Sequence, residues 1–88
     1  MHIMIGIGTL MKYHNFLVKN INDILDKTNN PDIMVGTTGR MDNPDNKVDI
    51  YTQINNPSDK DKELAKEIIK MVEDNHDKVI WLGDNLED

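Results

Sequence analysis

From residue 47 to residue 54 the chain alternates strictly, with Val48, Ile50, Thr52 and Ile54 set against Asp49, Tyr51 and Gln53. A period of two puts successive side chains on opposite faces, so this stretch predicts a strand with one buried side. The segment Ile33 to Met41 is rich in Val, Ile and Thr and predicts a second strand. Earlier in the chain the spacing changes: Leu10, Tyr13, Leu17, Ile21, Ile24 and Leu25 recur at helical intervals up to Asp26, with Thr9 placed to cap the helix. Leu64, Ala65, Ile68, Met71 and Val72 predict a second helix, capped by Ser58 or Asp59, whose Lys62, Glu63, Lys66, Glu67 and Lys70 form an ordinary solvated surface. Two short apolar runs, His2 to Ile7 and Lys78 to Leu82, read as terminal strands.

Three Asn-Pro steps punctuate this pattern, at Asn30-Pro31, Asn43-Pro44 and Asn56-Pro57, with the prolines 13 residues apart. Proline biases its predecessor away from helix, and Asn folds readily onto local backbone, so each step marks a turn. Placing Asn43-Pro44-Asp45-Asn46 in a four-residue turn makes the two strands a hairpin. Counting from Asn43 opposite Asn46 sets Met41 against Val48, Gly39 against Ile50, Thr37 against Thr52 and Val35 against Ile54. The other face then sets Arg40 against Asp49, Thr38 against Tyr51 and Gly36 against Gln53. Apolar meets apolar in that register, and the chain's only arginine meets an aspartate.

The predicted order is strand, helix, strand, strand, helix, strand, the split βαβ arrangement of an α+β, ferredoxin-like domain. Its sheet is expected to be antiparallel in order 4-1-3-2 with both helices on one face. At 88 residues the chain is expected to form one domain over residues 1–83, followed by an acidic tail over residues 84–88. No cysteine is present, which removes disulfides, thiolate metal sites and thiol catalysis. No run is long and apolar enough for a signal peptide or a membrane span, so a cytoplasmic protein is expected. Net charge is −6, which opposes sequence-independent attraction to nucleic-acid phosphate and favours a partner with a basic surface.

Candidate chemistry is sparse. Gly6-Ile7-Gly8-Thr9 reads as a loop from the first strand into the first helix. Free N–H groups there, with Lys12 or Arg40 as countercharge, would suit a phosphate or nucleotide. It lacks both the third glycine of a dinucleotide fingerprint and the Lys-Ser/Thr of a P-loop. The acidic run from Asp42 to Asn46 lacks calcium-loop spacing, since Pro44 stands where a ligand is required. His2, His14 and His76 share no metal-ligand spacing, and Ser58, the only serine, is assigned to a cap. No metal, cofactor or catalytic group is expected.

If Ile3, Ile5, Ile7, Ile33, Val35, Val48, Ile50 and Ile54 face the helices, the opposite sheet face displays Met4, Met34, Thr38, Arg40, Asp49, Tyr51 and Gln53, extended by Trp81 or Leu82. Met, aromatic and Arg side chains are what protein interfaces favour. Edge pairing, above all along Lys78 to Leu82, is expected to give a homodimer. The expected function is a small, acidic, non-enzymatic protein-binding or inhibitor domain, resembling in composition the accessory proteins of phages and mobile elements that block host nucleic-acid-handling proteins. Met4, Met34, Arg40, Asp42, Asp45, Asp49, Tyr51, Trp81, Asp84, Glu87 and Asp88 are its expected partner-binding residues. The alternative is a small-ligand sensor or phosphoryl enzyme using Gly6, Gly8, Thr9, Lys12 and Arg40.

Overall fold

Alternation of buried and open residues, sustained along residues 47–55, organises the structure. A computed structural model of the protein describes residues 2–39 and 46–82. Its elements run β1 (His2–Leu10), a 3₁₀ turn (Met11–Tyr13), α1 (His14–Leu25), β2 (Ile33–Gly39), β3 (Lys47–Asn55), α2 (Asp59–Asp74) and β4 (Val79–Trp81). The strands form one sheet in the order β2-β3-β1-β4, each neighbouring pair antiparallel. Ile3, Ile5 and Ile7 of β1 and Ile50 and Ile54 of β3 are buried against Leu17, Ile21 and Leu25 of α1 and Ala65, Ile68 and Val72 of α2. Both helices therefore cover the same face, and residues of opposite parity are left on the other.

The expected hairpin forms with a register two residues away from the counted one. Ile33 lies opposite Ile54, Val35 opposite Thr52, Thr37 opposite Ile50 and Thr38 opposite Asp49. A slip of two residues leaves every side chain on its own face, so the apolar pattern does not distinguish the two registers. The pairing of Arg40 with Asp49 is thereby replaced by Thr38 with Asp49, and the four-residue turn on which the count rested lies outside the described residues.

The start of the first helix also differs from expectation. Thr9 is a buried strand residue whose hydroxyl donates to the carbonyl of Lys78 at 2.6 Å. α1 begins only at His14, after Tyr13, with no side-chain cap. Residues 6–9 are thus strand and not loop, because β1 is flanked on both sides, by β3 and β4, and the ladder continues to Met11 N–H donating to Asn46 C=O at 2.7 Å. At the far end β4 is only three residues long, shorter than the run from Lys78 to Leu82 suggests, although Leu82 N–H still donates to Gly6 C=O at 3.0 Å.

Asp61 fastens the opposite end of the fold. Ser58 caps α2 in a capping box: its Oγ accepts from Asp61 N–H at 3.1 Å, and its own N–H donates to the Asp61 carboxylate at 3.0 Å. The same carboxylate accepts from Thr28 Oγ1 at 2.6 Å and from Asn30 Nδ2 at 3.0 Å, and Asn30 Nδ2 also donates to Asn55 C=O. One carboxylate, on a residue 1% exposed, joins the α1–β2 connection to the start of α2, and Asn30 carries the link on to the end of β3. Burial pushes the Asp61 carboxyl pKa up. The hydrogen bonds from Thr28, the Ser58 backbone and Asn30 outweigh that and hold it below the ordinary carboxylate value.

Asp61→Asn should therefore destabilise the protein by about 1–3 kcal/mol, because its amide NH₂ would face donors from Asn30 or Ser58. A lowered folded-state pKa also means that the contribution is fully present above the unfolded value of about 4 and is lost as pH falls through the folded one. Denaturant midpoints measured from neutral to acid pH should converge for wild type and variant. A gap that persists into strong acid would remove Asp61 as the cause.

Candidate interaction surface

The face away from the helices is built from three cross-strand rows. Met34, Gln53 and Met4 form one; Gly36, Tyr51, Gly6 and Leu82 the second; Thr38, Asp49, Gly8 and Ile80 the third. Of their apolar side chains, Met34 (63% exposed), Ile80 (62%), Leu82 (39%) and Tyr51 (38%) lie substantially in solvent. The row partners of Tyr51 are both glycines, and the ring occupies the space over one of them. A Cβ on Gly6 would lie 3.2 Å from Tyr51 Cε1 and 3.4 Å from Leu82 Cβ, whereas one on Gly36 would meet nothing within 4 Å. Glycine at position 6 thus lets an aromatic ring lean toward β1, over the spot that Leu82 also borders.

Charges concentrate elsewhere. On the helix layer Lys19 pairs with Asp23 and Lys27 with Glu67, both at 2.9 Å, and Lys70 pairs with Asp74 at 3.5 Å. The open face holds Lys47 and Asp49 near the start of β3. No group of three His, Asp or Glu side chains able to hold a metal occurs among the described residues. Among the described residues no helix is long and apolar enough to cross a membrane.

The structure gathers Met4, Met34, Asp49 and Tyr51 on this face. Trp81 is not among them: it pairs with Ile7, so it shares the buried side and packs against the core. A run of five apolar-rich residues carries no alternation, so parity in β4 is legible only through its pairing with β1; that pairing selects Ile80 and Leu82 instead. Arg40, Asp42, Asp45, Asp84, Glu87 and Asp88 lie outside the described residues. Of the alternative ligand set, Gly6 is covered by Tyr51 and Leu82, the Thr9 hydroxyl is engaged, and Lys12 lies over the Tyr13 ring at 5.1 Å.

A cavity of about 310 Å³ opens where β1 meets β4, lined by Gly8, Thr9, Tyr13, Lys47, Lys78 and Val79 among others. Lys78 Nζ stands 5.8 Å from the centroid of the Tyr13 ring and 3.4 Å from Asp77. Tyr13 and Lys78 were not singled out by the sequence for this role, since one belongs to a helical stripe and the other to a terminal strand.

Comparison with protein-family models, with curated proteins and with solved structures gives no match for this chain.

Gly6→Val should displace the Tyr51 ring and Leu82 together, at a cost of about 1–3 kcal/mol. Altered ring chemical shifts for Tyr51 and a lower melting temperature are the expected readouts. An unshifted Tyr51 spectrum would show that the ring does not rest on Gly6.

Proposed function

We propose that this chain is a small, non-enzymatic protein-binding domain that acts in the cytoplasm by seating the uncovered face of its sheet on a partner with a basic surface. The domain is read as ferredoxin-like, supported by the order of its elements and by the strand sequence β4-β1-β3-β2 across the sheet. One observation carries the function: exposed apolar side chains, Met34 on β2, Tyr51 on β3 and Ile80 and Leu82 on the β4 segment, lie together on the side that neither helix covers. An interface of that kind has an apolar centre and a polar rim, with Tyr51 as the aromatic anchor. The net charge of −6 supplies steering toward a cationic surface, and in the sequence Asp42, Asp45, Asp84, Glu87 and Asp88 follow the strand segments that build the face. An inhibitor that occupies the basic groove of a nucleic-acid-handling protein, of the kind carried by phages and mobile elements, fits this charge and size.

Affinity capture from the native host should recover a basic polypeptide with the wild-type chain. It should do so equally with Phe16→Ser, on α1. The combined variant Met34→Ser, Tyr51→Ala, Ile80→Ser should lose it while keeping its circular dichroism spectrum. Equal recovery by all three proteins would place the contact elsewhere.

A second reading, a phosphate or nucleotide sensor or phosphoryl enzyme, is favoured by the cavity beside Tyr13, Lys47 and Lys78. A ligand at 100 times its dissociation constant adds about 2.7 kcal/mol of stability. A melting-temperature rise with a nucleotide or inorganic phosphate that Tyr13→Ala abolishes would support this reading over the first.

A further inference from the structure

The two edges of the sheet are unequal. β4 offers three residues, whereas β2 offers seven, Ile33-Met34-Val35-Gly36-Thr37-Thr38-Gly39, with neither a charge nor a proline among them. Charges and prolines are what ordinarily protect an edge from pairing, and in a chain of net charge −6 this run carries no charge that would oppose its own copy. Asn55 N–H donates to Asp32 C=O at 2.9 Å, which fixes the phase of the ladder. By antiparallel alternation Met34, Gly36 and Thr38 bond to β3, and Ile33, Val35, Thr37 and Gly39 turn their N–H and C=O groups outward.

We propose that β2 pairs with β2 of a second copy, antiparallel about a two-fold axis at Gly36, giving a continuous eight-stranded sheet. The choice of centre follows from the ladder. An axis at Gly36 sets Ile33 opposite Gly39 of the other copy and Val35 opposite Thr37, so all four outward-turned residues find outward-turned partners, and four pairs supply eight main-chain hydrogen bonds. An axis at Val35 or Thr37 gives only three such pairs, and an axis between residues gives none. At the centre Gly36 meets Gly36 at the close, non-hydrogen-bonded spacing, and the open space around its α-carbon leaves room there. Side chains keep their layers: Met34 meets Thr38 on the open face, while half-buried Ile33 and Val35 are covered on the helix side. The flanking sequence shares this symmetry, with Asp32 four residues before Gly36 and Arg40 four after it. A second copy, rather than a peptide of another protein, is the occupant because the edge is complementary to itself in phase, layer and charge. This pairing uses edge backbone and does not depend on which partner the open face binds.

The axis position makes a charge-exchange experiment decisive. Gly36→Glu and Gly36→Lys each place like charges directly opposite one another across the axis, while the empty space around position 36 spares the single chain. Native mass spectrometry and sedimentation should show wild type at twice the 10.1 kDa chain mass. Each variant alone should be a monomer with an unchanged circular dichroism spectrum, and an equimolar mixture should restore a one-to-one heterodimer. A monomeric wild type, a Gly36→Glu protein that stays dimeric, or a mixture that stays monomeric would each overturn the proposal.

Discussion

The nine-pair antiparallel ladder between β1 and β3 is the constraint on which the other features rest. Each strand is central, so each must bond on both edges, and each has only one side covered by helices. Ile3, Ile5 and Ile7 face Ile54, Thr52 and Ile50 on the helix side, and the alternate residues lie on the face that neither helix covers. Burial on one side therefore produces the uncovered surface on the other. Both helices lie on one face of the four-stranded sheet, and among the described residues no further helix or strand covers the second.

Within that surface the choice of residues is specific. A polar open face would suffice for solubility, yet Met34, Tyr51, Ile80 and Leu82 are retained there with glycine at positions 6, 8 and 36 between them. Small residues beside large ones let the large ones lie flat, which widens apolar contact without raising it above the sheet. The helix layer is treated differently. Its lysines pair with acidic neighbours three or four positions away, or across to the other helix as Lys27 does with Glu67. Such exposed pairs add little stability and keep that side hydrated. The two sides of the molecule are thus chemically distinct.

Much of this was legible in the sequence, and what was not has identifiable causes. Period-two alternation placed Met4, Met34, Asp49 and Tyr51 on one face correctly, because parity is set by the backbone and does not depend on register. Register itself was missed by two residues, since a shift of two preserves every facing relation that the pattern records. Gly6-Ile7-Gly8-Thr9 resembled a loop because glycine is common in loops; the reason for Gly6, a tyrosine ring 45 residues further along the chain, is a tertiary contact that no local window contains. Trp81 fell on the wrong side for a related reason: three residues of β4 carry too little alternation to fix their own parity. Asp61 sits three positions after Ser58, so its capping role has a local signature, but its bonds to Thr28 and Asn30 do not.

The Asn-Pro steps show how punctuation and tertiary structure become the same feature. Asn30 precedes Pro31 at the entrance to β2, and its side chain accepts from Asp32 N–H at 2.8 Å while donating to Asn55 C=O and to Asp61. Asn56 precedes Pro57 at the exit of β3, with a left-handed φ of 49° that asparagine tolerates better than most residues. Both steps therefore lie at one end of the hairpin, gathered around the Asp61 carboxylate. That end is fixed by a buried polar network, in which each donor would be left unsatisfied if its neighbour moved. β2 is held by this network, by its ladder with β3 and by the His14–Thr37 side-chain contact at 2.9 Å, and among the described residues its outer edge is uncharged and pairs with no other strand. An edge held in extended form before any partner arrives has already met most of the ordering cost of strand addition, and this is why β2, more than the three-residue β4, is the edge suited to receive another strand.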